Sequence, residues 1–205
     1  MNLNLKNKVV IVTGGAKGIG RAIVIALANE GAIPVIIGRT QKDNLQVEQE
    51  VKKLGADVFS VEAELASPQD CEKAVKAVLA KYNKIDGLVN NAGQNDGVGL
   101  ASGSYEAFVG SLHKNLIHYY LMAHHALNAL KDSKGSIVNI SSKTAETGQG
   151  NTSAYAASNG GRNALTREWA VELLPFGIRV NAIVVAEAST PQYDTWIRTL
   201  DNPEE

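Results

Sequence analysis

The sequence predicts an α/β protein built on a doubly wound parallel sheet. Apolar, β-branched runs alternate with helical patterns from one end of the chain to the other, as expected for βαβ units. A glycine-rich turn joins the first of these runs to the first helical segment. The 205 residues, 44% of them hydrophobic, supply enough apolar material for one core but hardly for two. We therefore expect a single domain covering residues 1–205.

Six strands and five helices are predicted. The strands cover Val9 to Val12, Pro34 to Ile37, Val58 to Val61, Gly87 to Val89, Ser136 to Ile140 and Ile178 to Val185. The helices cover Ile19 to Asn29, Asp43 to Lys53, Pro68 to Tyr82, Ser104 to Lys131 and Ser153 to Leu174. The third helix has a favourable start, because Ser67 can serve as its N-cap and Pro68 suits its first turn. The fourth is so long that we expect it to be bent or broken. Right-handed crossovers make this order a doubly wound sheet.

Composition argues against several kinds of partner. The 20 basic and 21 acidic residues leave no basic stripe for nucleic acid, and no segment approaches the roughly 18 apolar residues of a membrane span. The first residues lack the apolar core of a secretory signal, and Cys71 is the only cysteine. A reducing cytoplasm is therefore expected, with Cys71 packed as a small apolar residue.

The glycine-rich turn predicts a dinucleotide site. It follows a buried strand, opens a helix and reads Thr13-Gly14-Gly15-Ala16-Lys17-Gly18-Ile19-Gly20. Its glycines permit a tight turn, close approach of the backbone to a pyrophosphate, and close packing of helix on sheet. Amide groups at the helix N-terminus favour anionic phosphates. A glycine-rich turn is often only a turn, but the strand, helix and βαβ continuation favour a Rossmann-type cofactor site.

The end of the second strand bears on the choice of cofactor. An acidic residue there would bind a ribose 2′-hydroxyl, whereas a basic one would accept a 2′-phosphate. The sequence has Arg39 at this position, and Lys17 adds a second cation nearby. NADP is therefore favoured over NAD. The alternative is that both are solvated surface charges.

Nearly the whole chain resembles the classical short-chain dehydrogenase/reductase family, whose glycine loop reads T-G-x-x-x-G-x-G. Asn90-Asn91-Ala92-Gly93 matches the family's N-N-A-G signature, which implies contacts on the adenine-ribose side and a steadied central sheet. The resemblance also implies adenine contacts from Glu64 and Leu65, and a nicotinamide contact from Thr190.

The same resemblance implies a catalytic set of Asn115, Ser142 and Tyr155. Ser142 lies thirteen residues before Tyr155, which is the family's spacing. Hydride transfer at a carbonyl carbon needs a proton donor or acceptor at the oxygen, and a phenol beside a hydroxyl can supply it. Tyr155 is the candidate for proton transfer, and Ser142 is the candidate for holding the substrate oxygen.

Asn159 departs from the family, which has a lysine four residues after the tyrosine, one helical turn on. An amide can still bond a ribose hydroxyl, but it supplies no positive charge to favour the ionised tyrosine. Alcohol oxidation is expected to suffer by orders of magnitude, and carbonyl reduction less. No substitute is obvious: Arg162 is expected to face solvent or a neighbouring carboxylate, and Lys143 is a weak second candidate.

The C-terminal part departs as well. The family continues through another helix and a seventh strand that contributes to subunit contacts, and this segment is expected to be absent here. Strand Ile178 to Val185 would then form an exposed apolar edge. A homo-oligomer formed through the long helices is expected.

The substrate is predicted only by a weaker resemblance. Three segments together resemble the subgroup of the L-fucose dehydrogenase type, namely Gly148 to Ser153, Thr166 to Trp169 and Ala186 to Trp196. Polar side chains that would suit a sugar, or would bond to their own backbone instead, are Asn95, Asp96, Gln149 and Glu187. No metal is expected, because His118, His124 and His125 do not share one helix face.

Two functions follow from these residues. The first is an NAD(P)-dependent oxidoreductase that acts on a secondary alcohol or carbonyl, with a free sugar such as L-fucose as the small-molecule substrate. The second is a catalytically impaired member of the family that binds a dinucleotide, or a partner, without efficient turnover because of Asn159.

Overall fold

The computed structural model describes residues 3–191, 193 and 197–198 of the chain. Six strands form one parallel sheet in the order β3-β2-β1-β4-β5-β6. They are β1 (Val9–Thr13), β2 (Ile33–Gly38), β3 (Phe59–Glu62), β4 (Gly87–Asn90), β5 (Ser136–Ser142) and β6 (Arg179–Val185). The doubly wound sheet predicted from the sequence is confirmed, with strand ends displaced by one or two residues. Trp196 lies outside the described residues.

The helices also follow the prediction. They are α1 (Gly18–Asn29), α2 (Gln41–Lys53), α3 (Pro68–Tyr82), α4 (Tyr105–Leu112), α5 (His118–Ser133), α6 (Thr144–Thr147) and α7 (Ser153–Glu172). Ser67 caps α3 as expected, since its side chain accepts a hydrogen bond from the Asp70 amide. The short helix α6 and a 3₁₀ turn at Leu174–Phe176 were not predicted.

The long fourth helix is interrupted, as predicted. A π-helical segment, His113–Ile117, separates α4 from α5 and places Asn115 at its centre. Such segments are rare and occur frequently at functional sites. The break therefore marks the part of this helix in which the candidate Asn115 lies.

Two apolar clusters cover the two faces of the sheet. β1 contributes to both, because alternate residues point to opposite faces: Val9 and Ile11 to one cluster, Val10 and Val12 to the other. The larger cluster includes Cys71, which is fully buried as predicted, and residues of α3 and α5. The smaller cluster packs β1 and β2 against α1 and α2. The sheet is thus held rigidly between two helical layers.

Strand β6 forms one edge of the sheet in the described part of the chain. Its residues Ile183 and Val184 are about half exposed, so the apolar edge expected from the sequence is present. None of the helices in the described residues is long and apolar enough to cross a membrane.

Candidate active site

The predicted site residues collect at the carboxyl edge of the sheet. Because all strands are parallel, the segments that follow β1, β4 and β5 emerge at the same edge. β1 and β4 are neighbours, and the strand order reverses between them. In open α/β sheets a ligand crevice lies outside the strand ends at such a reversal. The glycine loop, Asn90 to Gly93 and Ser142 therefore border one crevice.

The glycine loop is shaped for close approach of a phosphate. Gly14 and Gly18 have positive φ angles of 65° and 50°, which favour glycine. A Cβ on Gly20 would collide with the Gly14 carbonyl oxygen and lie 2.6 Å from Asn91 Nδ2. Helix α1 starts here with no side-chain cap and no acidic residue in its first turn, which leaves its amides for an anion. These features fit the pyrophosphate of a dinucleotide.

Thr13 joins this loop to the segment after β4. Its Oγ1 accepts hydrogen bonds from the amides of Asn91 at 2.9 Å and Ala92 at 3.1 Å. The Asn91 side chain returns a bond to the Thr13 carbonyl oxygen at 2.9 Å. Sequence reasoning assigned no role to this hydroxyl, although its position at a strand end before glycines was a usable signal. The contacts fix the distance between the two walls of the crevice.

The two cations predicted to select NADP each lie close to a carboxylate. Lys17 pairs with Asp43 at 2.6 Å, and Arg39 lies 3.9 Å from the Glu64 carboxylate. Both cations are largely exposed, so each pair is weak. A 2′-phosphate would compete with a carboxylate for each cation. Leu65, beside Glu64, is buried, with 7% of its surface exposed.

The Asn90 side chain lies inside the protein. It is fully buried, and its Nδ2 donates to Asn139 Oδ1 at 3.0 Å. Asn139 in turn donates to Thr166 Oγ1 on α7 at 2.9 Å. This chain of bonds steadies β4, β5 and α7, as the resemblance implied. The Asn90 side chain faces the protein interior, and contact of this residue with a cofactor stays a prediction.

The three catalytic candidates lie on three elements around the crevice. Asn115 is buried in the π-helical segment, where its Oδ1 accepts the Gln94 amide at 2.7 Å. Ser142 ends β5, and its Oγ accepts the Thr144 amide at 3.3 Å. Tyr155, in the first turn of α7, is partly exposed. The neighbouring Ser141 ties β5 to α7, since its Oγ donates to the Asn159 carbonyl at 3.3 Å.

Arg162 contradicts its prediction: it is 3% exposed and points inward. Its Nε donates to the Asn115 carbonyl at 2.6 Å, and its Nη1 donates to the Ile140 carbonyl at 3.1 Å and to Asn159 Oδ1 at 2.9 Å. Within the described part of the chain it forms no ion pair. The expectation of a solvent-facing Arg162 is wrong because four backbone and amide oxygens, not carboxylates, satisfy the guanidinium. The fourth, Asn115 Oδ1, is 3.5 Å from Nη2.

Lys143, the other candidate cation, is engaged elsewhere. It bonds the Glu187 carboxylate at 2.5 Å, and both side chains are exposed. Hydrogen bonding and charge from Lys143 lower the pKa of Glu187. Lys143 therefore acts as the partner of one of the residues proposed for sugar binding.

The other polar candidates differ in their surroundings. Asn95 Oδ1 accepts the Gly97 amide, which is the local backbone bond that the alternative predicted. Asp96 accepts the Ser111 hydroxyl at 2.8 Å and lies 3.7 Å from Lys114. Gln149 is exposed in the turn between α6 and α7. Only Asp96 is thereby tied to the Asn115 segment.

Thr190 lies against the glycine loop. A Cβ on Gly18 would be 3.3 Å from the Thr190 Cγ2. The segment 188–191 also lines a cavity with Lys17 and Asp43, of about 770 Å³. Thr190 therefore lies next to the start of α1. Among the described residues there is no cluster of three or more metal-ligating side chains.

His118 gives this region a pH dependence. It is fully buried, its Nε2 lies 3.0 Å from the Lys114 carbonyl oxygen, and burial together with the charge of Arg162 lowers its pKa to about 3. The ordinary pKa is 6.5, so between these values only the unfolded chain takes up a proton here. We expect the free energy of unfolding to fall as pH drops through this window, by at most about 1.4 kcal/mol per pH unit.

Denaturant unfolding at a series of pH values checks this prediction. His118→Asn should show a shallower pH dependence than the wild type below pH about 6.5. His124→Asn is the matched control, because His124 is exposed on the same helix. Equal slopes for wild type and His118→Asn would contradict the assignment.

Comparisons with known proteins agree with this architecture. The sequence model of the short chain dehydrogenase family matches residues 8–199. L-fucose dehydrogenase of Rattus norvegicus is 34% identical over 197 residues, which are 96% of this chain and 72% of that protein.

Solved structures agree as well. The Cj0485 dehydrogenase structure superposes with a TM-score of 0.92 at 44% identity, covering 100% of this chain and 78% of that one. The structure of a variant of actinorhodin polyketide ketoreductase with NADPH superposes with a TM-score of 0.91 at 28% identity, covering 97% and 77%. The fold, the family match and these relatives lead to one conclusion: the chain belongs to the short-chain dehydrogenase/reductase family of oxidoreductases.

Proposed function

We propose that this protein is an NAD(P)-dependent oxidoreductase that interconverts a secondary alcohol and a carbonyl, with a free sugar such as L-fucose as substrate. The observation that carries the proposal is the meeting of two sets of residues at one sheet edge. The glycine loop, which would hold the phosphates, follows β1, whereas Ser142 ends β5 and Tyr155 lies in the first turn of α7. Neither set alone would support hydride transfer.

Ser142 and Tyr155 have different roles at the substrate oxygen. The Ser142 hydroxyl donates a hydrogen bond to that oxygen and orients it. In reduction, the Tyr155 hydroxyl gives its proton to the oxygen, and in oxidation the ionised Tyr155 takes the proton of the alcohol. A bound nicotinamide would deliver or accept the hydride at the carbon. Asn115 holds the wall of the crevice through its bond from the Gln94 amide.

The sugar assignment is supported by the relatives and by the loops around Tyr155. One relative is named for L-fucose. Asp96 is mostly enclosed, with 11% of its side chain exposed, and keeps a carboxylate beside the Asn115 segment. Gln149, which follows α6, and Glu187, which follows β6, are exposed. Carboxylate and amide oxygens bond well to sugar hydroxyls.

NADP is the proposed cofactor, with NAD as the alternative. Replacing Arg39 by alanine removes a cation at the adenosine edge, so we expect NADPH binding to weaken about tenfold and NADH binding to change little. Fluorescence titration with both cofactors measures the two dissociation constants. Lys52→Ala, which removes an exposed cation paired with Glu48 on α2, is the control. An equal loss for both cofactors would show that Arg39 does not read the 2′-phosphate.

We further propose a homo-oligomer that forms through α4 and α5. Large aromatic side chains lie exposed on these helices: Tyr105, Phe108 and Tyr120. Aromatic residues are enriched in the cores of protein interfaces. Light scattering of the wild type and of a Tyr105→Ser/Tyr120→Ser variant would show whether the assembly depends on this surface.

Turnover measurements test the proposed function. Purified protein is mixed with NADP or NAD and L-fucose, an acyclic polyol or a simple secondary alcohol, and with NADPH or NADH and a ketone. Reduced nicotinamide is followed by absorbance. We expect turnover, with kcat/KM for L-fucose at least about tenfold above that of the other alcohols, a difference of about 1.4 kcal/mol.

The alternative, an impaired member that binds a dinucleotide without turnover, is favoured by one observation, the neutral Asn159 at the family's lysine position. Cofactor binding without turnover of any of these substrates would support that alternative. Absence of binding would overturn both functions.

A further inference from the structure

The positive charge missing at Asn159 is present one turn further along the same face of α7. Residues 155, 159 and 162 are spaced i, i+4 and i+7, so they share one side of the helix. In the structure this side faces inward: Asn159 and Arg162 are both buried. The guanidinium carbon of Arg162 lies 6.0 Å from the centre of the Tyr155 ring.

Arg162 also lies just beneath the surface of the crevice. A Cβ on the exposed Gly93 would be 2.7 Å from Arg162 Nη2 and 3.1 Å from Asn115 Oδ1. The face of the Tyr119 ring lies against the guanidinium, with 4.3 Å from the ring centre to its carbon. The glycine at position 93 therefore lets this cation lie close to the crevice wall.

Arg162 and Asn159 form one hydrogen-bonded unit with the catalytic elements. Asn159 Nδ2 donates to the Tyr155 carbonyl at 2.8 Å, and its Oδ1 accepts from Arg162 at 2.9 Å. The neutral amide therefore accepts a bond from the guanidinium where a lysine would repel it. A buried charge without a carboxylate is unfavourable unless its donors are satisfied, and here oxygen atoms satisfy them. A purely apolar side chain would have filled this place without that penalty.

We propose that Arg162 is a positioning residue that supplies, from position 162, the positive charge that Asn159 does not supply, and that it acts through Tyr155 by stabilising the ionised phenol. The inference rests on the proposed function for its consequence, which is that Asn159 does not impair the enzyme. The guanidinium lies over the Tyr155 ring, and a positive charge near an ionisable group favours its anionic form.

The other titratable groups around Tyr155 do not carry such a charge. His118 on α5 is neutral at physiological pH, because burial and Arg162 lower its pKa to about 3. Tyr119 on α5 is neutral too, since burial raises its pKa to about 12. Lys143, after β5, is paired with Glu187. Arg162 is therefore the cation in the described structure that is buried beside Tyr155 without a carboxylate.

The test compares proteins that carry a positive charge at position 162, at position 159, at both positions or at neither. The proteins compared are the wild type, Arg162→Gln, Arg162→Lys, Asn159→Lys and the double variant Asn159→Lys/Arg162→Gln. Arg167→Gln, which removes an exposed cation of the same helix, is the control. Ionisation of Tyr155 is measured without substrate or cofactor, as the ultraviolet tyrosinate absorbance of each protein minus that of its Tyr155→Phe counterpart. The pH dependence of kcat for oxidation is measured in parallel.

We expect the Tyr155 ionisation midpoint and the kcat profile of Arg162→Gln to shift upward by at least about one pH unit, a tenfold loss of tyrosinate at a given pH. Arg162→Lys and the double variant, which keep one positive charge, should stay near the wild type, as should Arg167→Gln. Asn159→Lys alone should melt at a lower temperature, since it brings two buried cations together without a carboxylate.

An unchanged Tyr155 ionisation midpoint in Arg162→Gln would overturn the inference. An Asn159→Lys protein that is as stable as the wild type and more active would overturn it too. If Arg162 served only to stabilise α7, Arg162→Gln would have a lower melting temperature and both pH midpoints would be unchanged. That result would also overturn the inference. If Arg162→Gln does not fold, the double variant decides, because it must fold and keep the wild-type midpoint. The absorbance titration needs no turnover, so failure of the proposed function remains distinguishable.

Discussion

Gly20→Ala is expected to disable the dinucleotide site. The new methyl group would collide with the Gly14 carbonyl oxygen and lie 2.6 Å from Asn91 Nδ2, so it meets backbone and a side chain that is itself held by Thr13. Overpacking of this kind costs about 1–3 kcal/mol. If the loop shifts to relieve the collision, NADPH binding should weaken by roughly 5- to 150-fold. Fluorescence titration gives the dissociation constant, and thermal melting gives the change in stability.

Gly110→Ala is the matched control for this substitution. Gly110 lies in α4, and a Cβ there would meet no atom within 4 Å. Alanine is favoured over glycine in a helix by about 0.5–1 kcal/mol, so this variant should be at least as stable as the wild type. NADPH binding by Gly20→Ala at wild-type strength would show that the loop does not hold the cofactor as proposed.

Tyr155→Phe is expected to lower kcat by about 10²- to 10⁴-fold, the usual contribution of a positioned proton donor or acceptor. The ring and its packing remain, so the fold and the dissociation constant for NADPH should be unchanged. Initial rates in both directions, with cofactor titration of the same preparation, measure the two quantities.

The control makes the same chemical change at a distant phenol. Tyr82 is the last residue of α3, and its hydroxyl donates a hydrogen bond to Asp57, which lies just before β3. Tyr82→Phe removes that hydroxyl. Its kcat should match that of the wild type. If kcat of Tyr155→Phe is within about threefold of the wild-type value, the loss is much smaller than a proton-transfer residue contributes. Another group would then transfer the proton.

Periodicity was sufficient to predict the framework. Apolar runs such as Val9 to Val12 are strands because both faces of a parallel sheet are buried, and the structure adds only one residue, Thr13, to that strand. The length of the fourth helix indicated a break, and the π-helical segment around Asn115 supplies it. These features depend on local pattern, which a sequence carries directly.

Side-chain direction was harder to predict. Arg162 was expected to face solvent or a neighbouring carboxylate, but it is buried, and charged residues are almost never fully buried unless paired. Its oxygen partners come from Asn115 and Ile140, which are distant in sequence. The bond by which Asn139, on the adjacent strand, holds the Asn90 side chain inside was likewise not predicted. Such partners are set by tertiary packing.

A single-turnover measurement tests the central claim most directly. Protein saturated with NADP, and separately with NAD, is mixed rapidly with L-fucose, and formation of the reduced cofactor is followed by its absorbance in the wild type and in Tyr155→Phe. Our account predicts reduction of the bound cofactor by the wild type, with a rate that rises with pH, and a rate at least about 100-fold lower in Tyr155→Phe. Saturated wild-type protein that reduces neither cofactor with any alcohol, and oxidises neither reduced cofactor with any ketone, would contradict it.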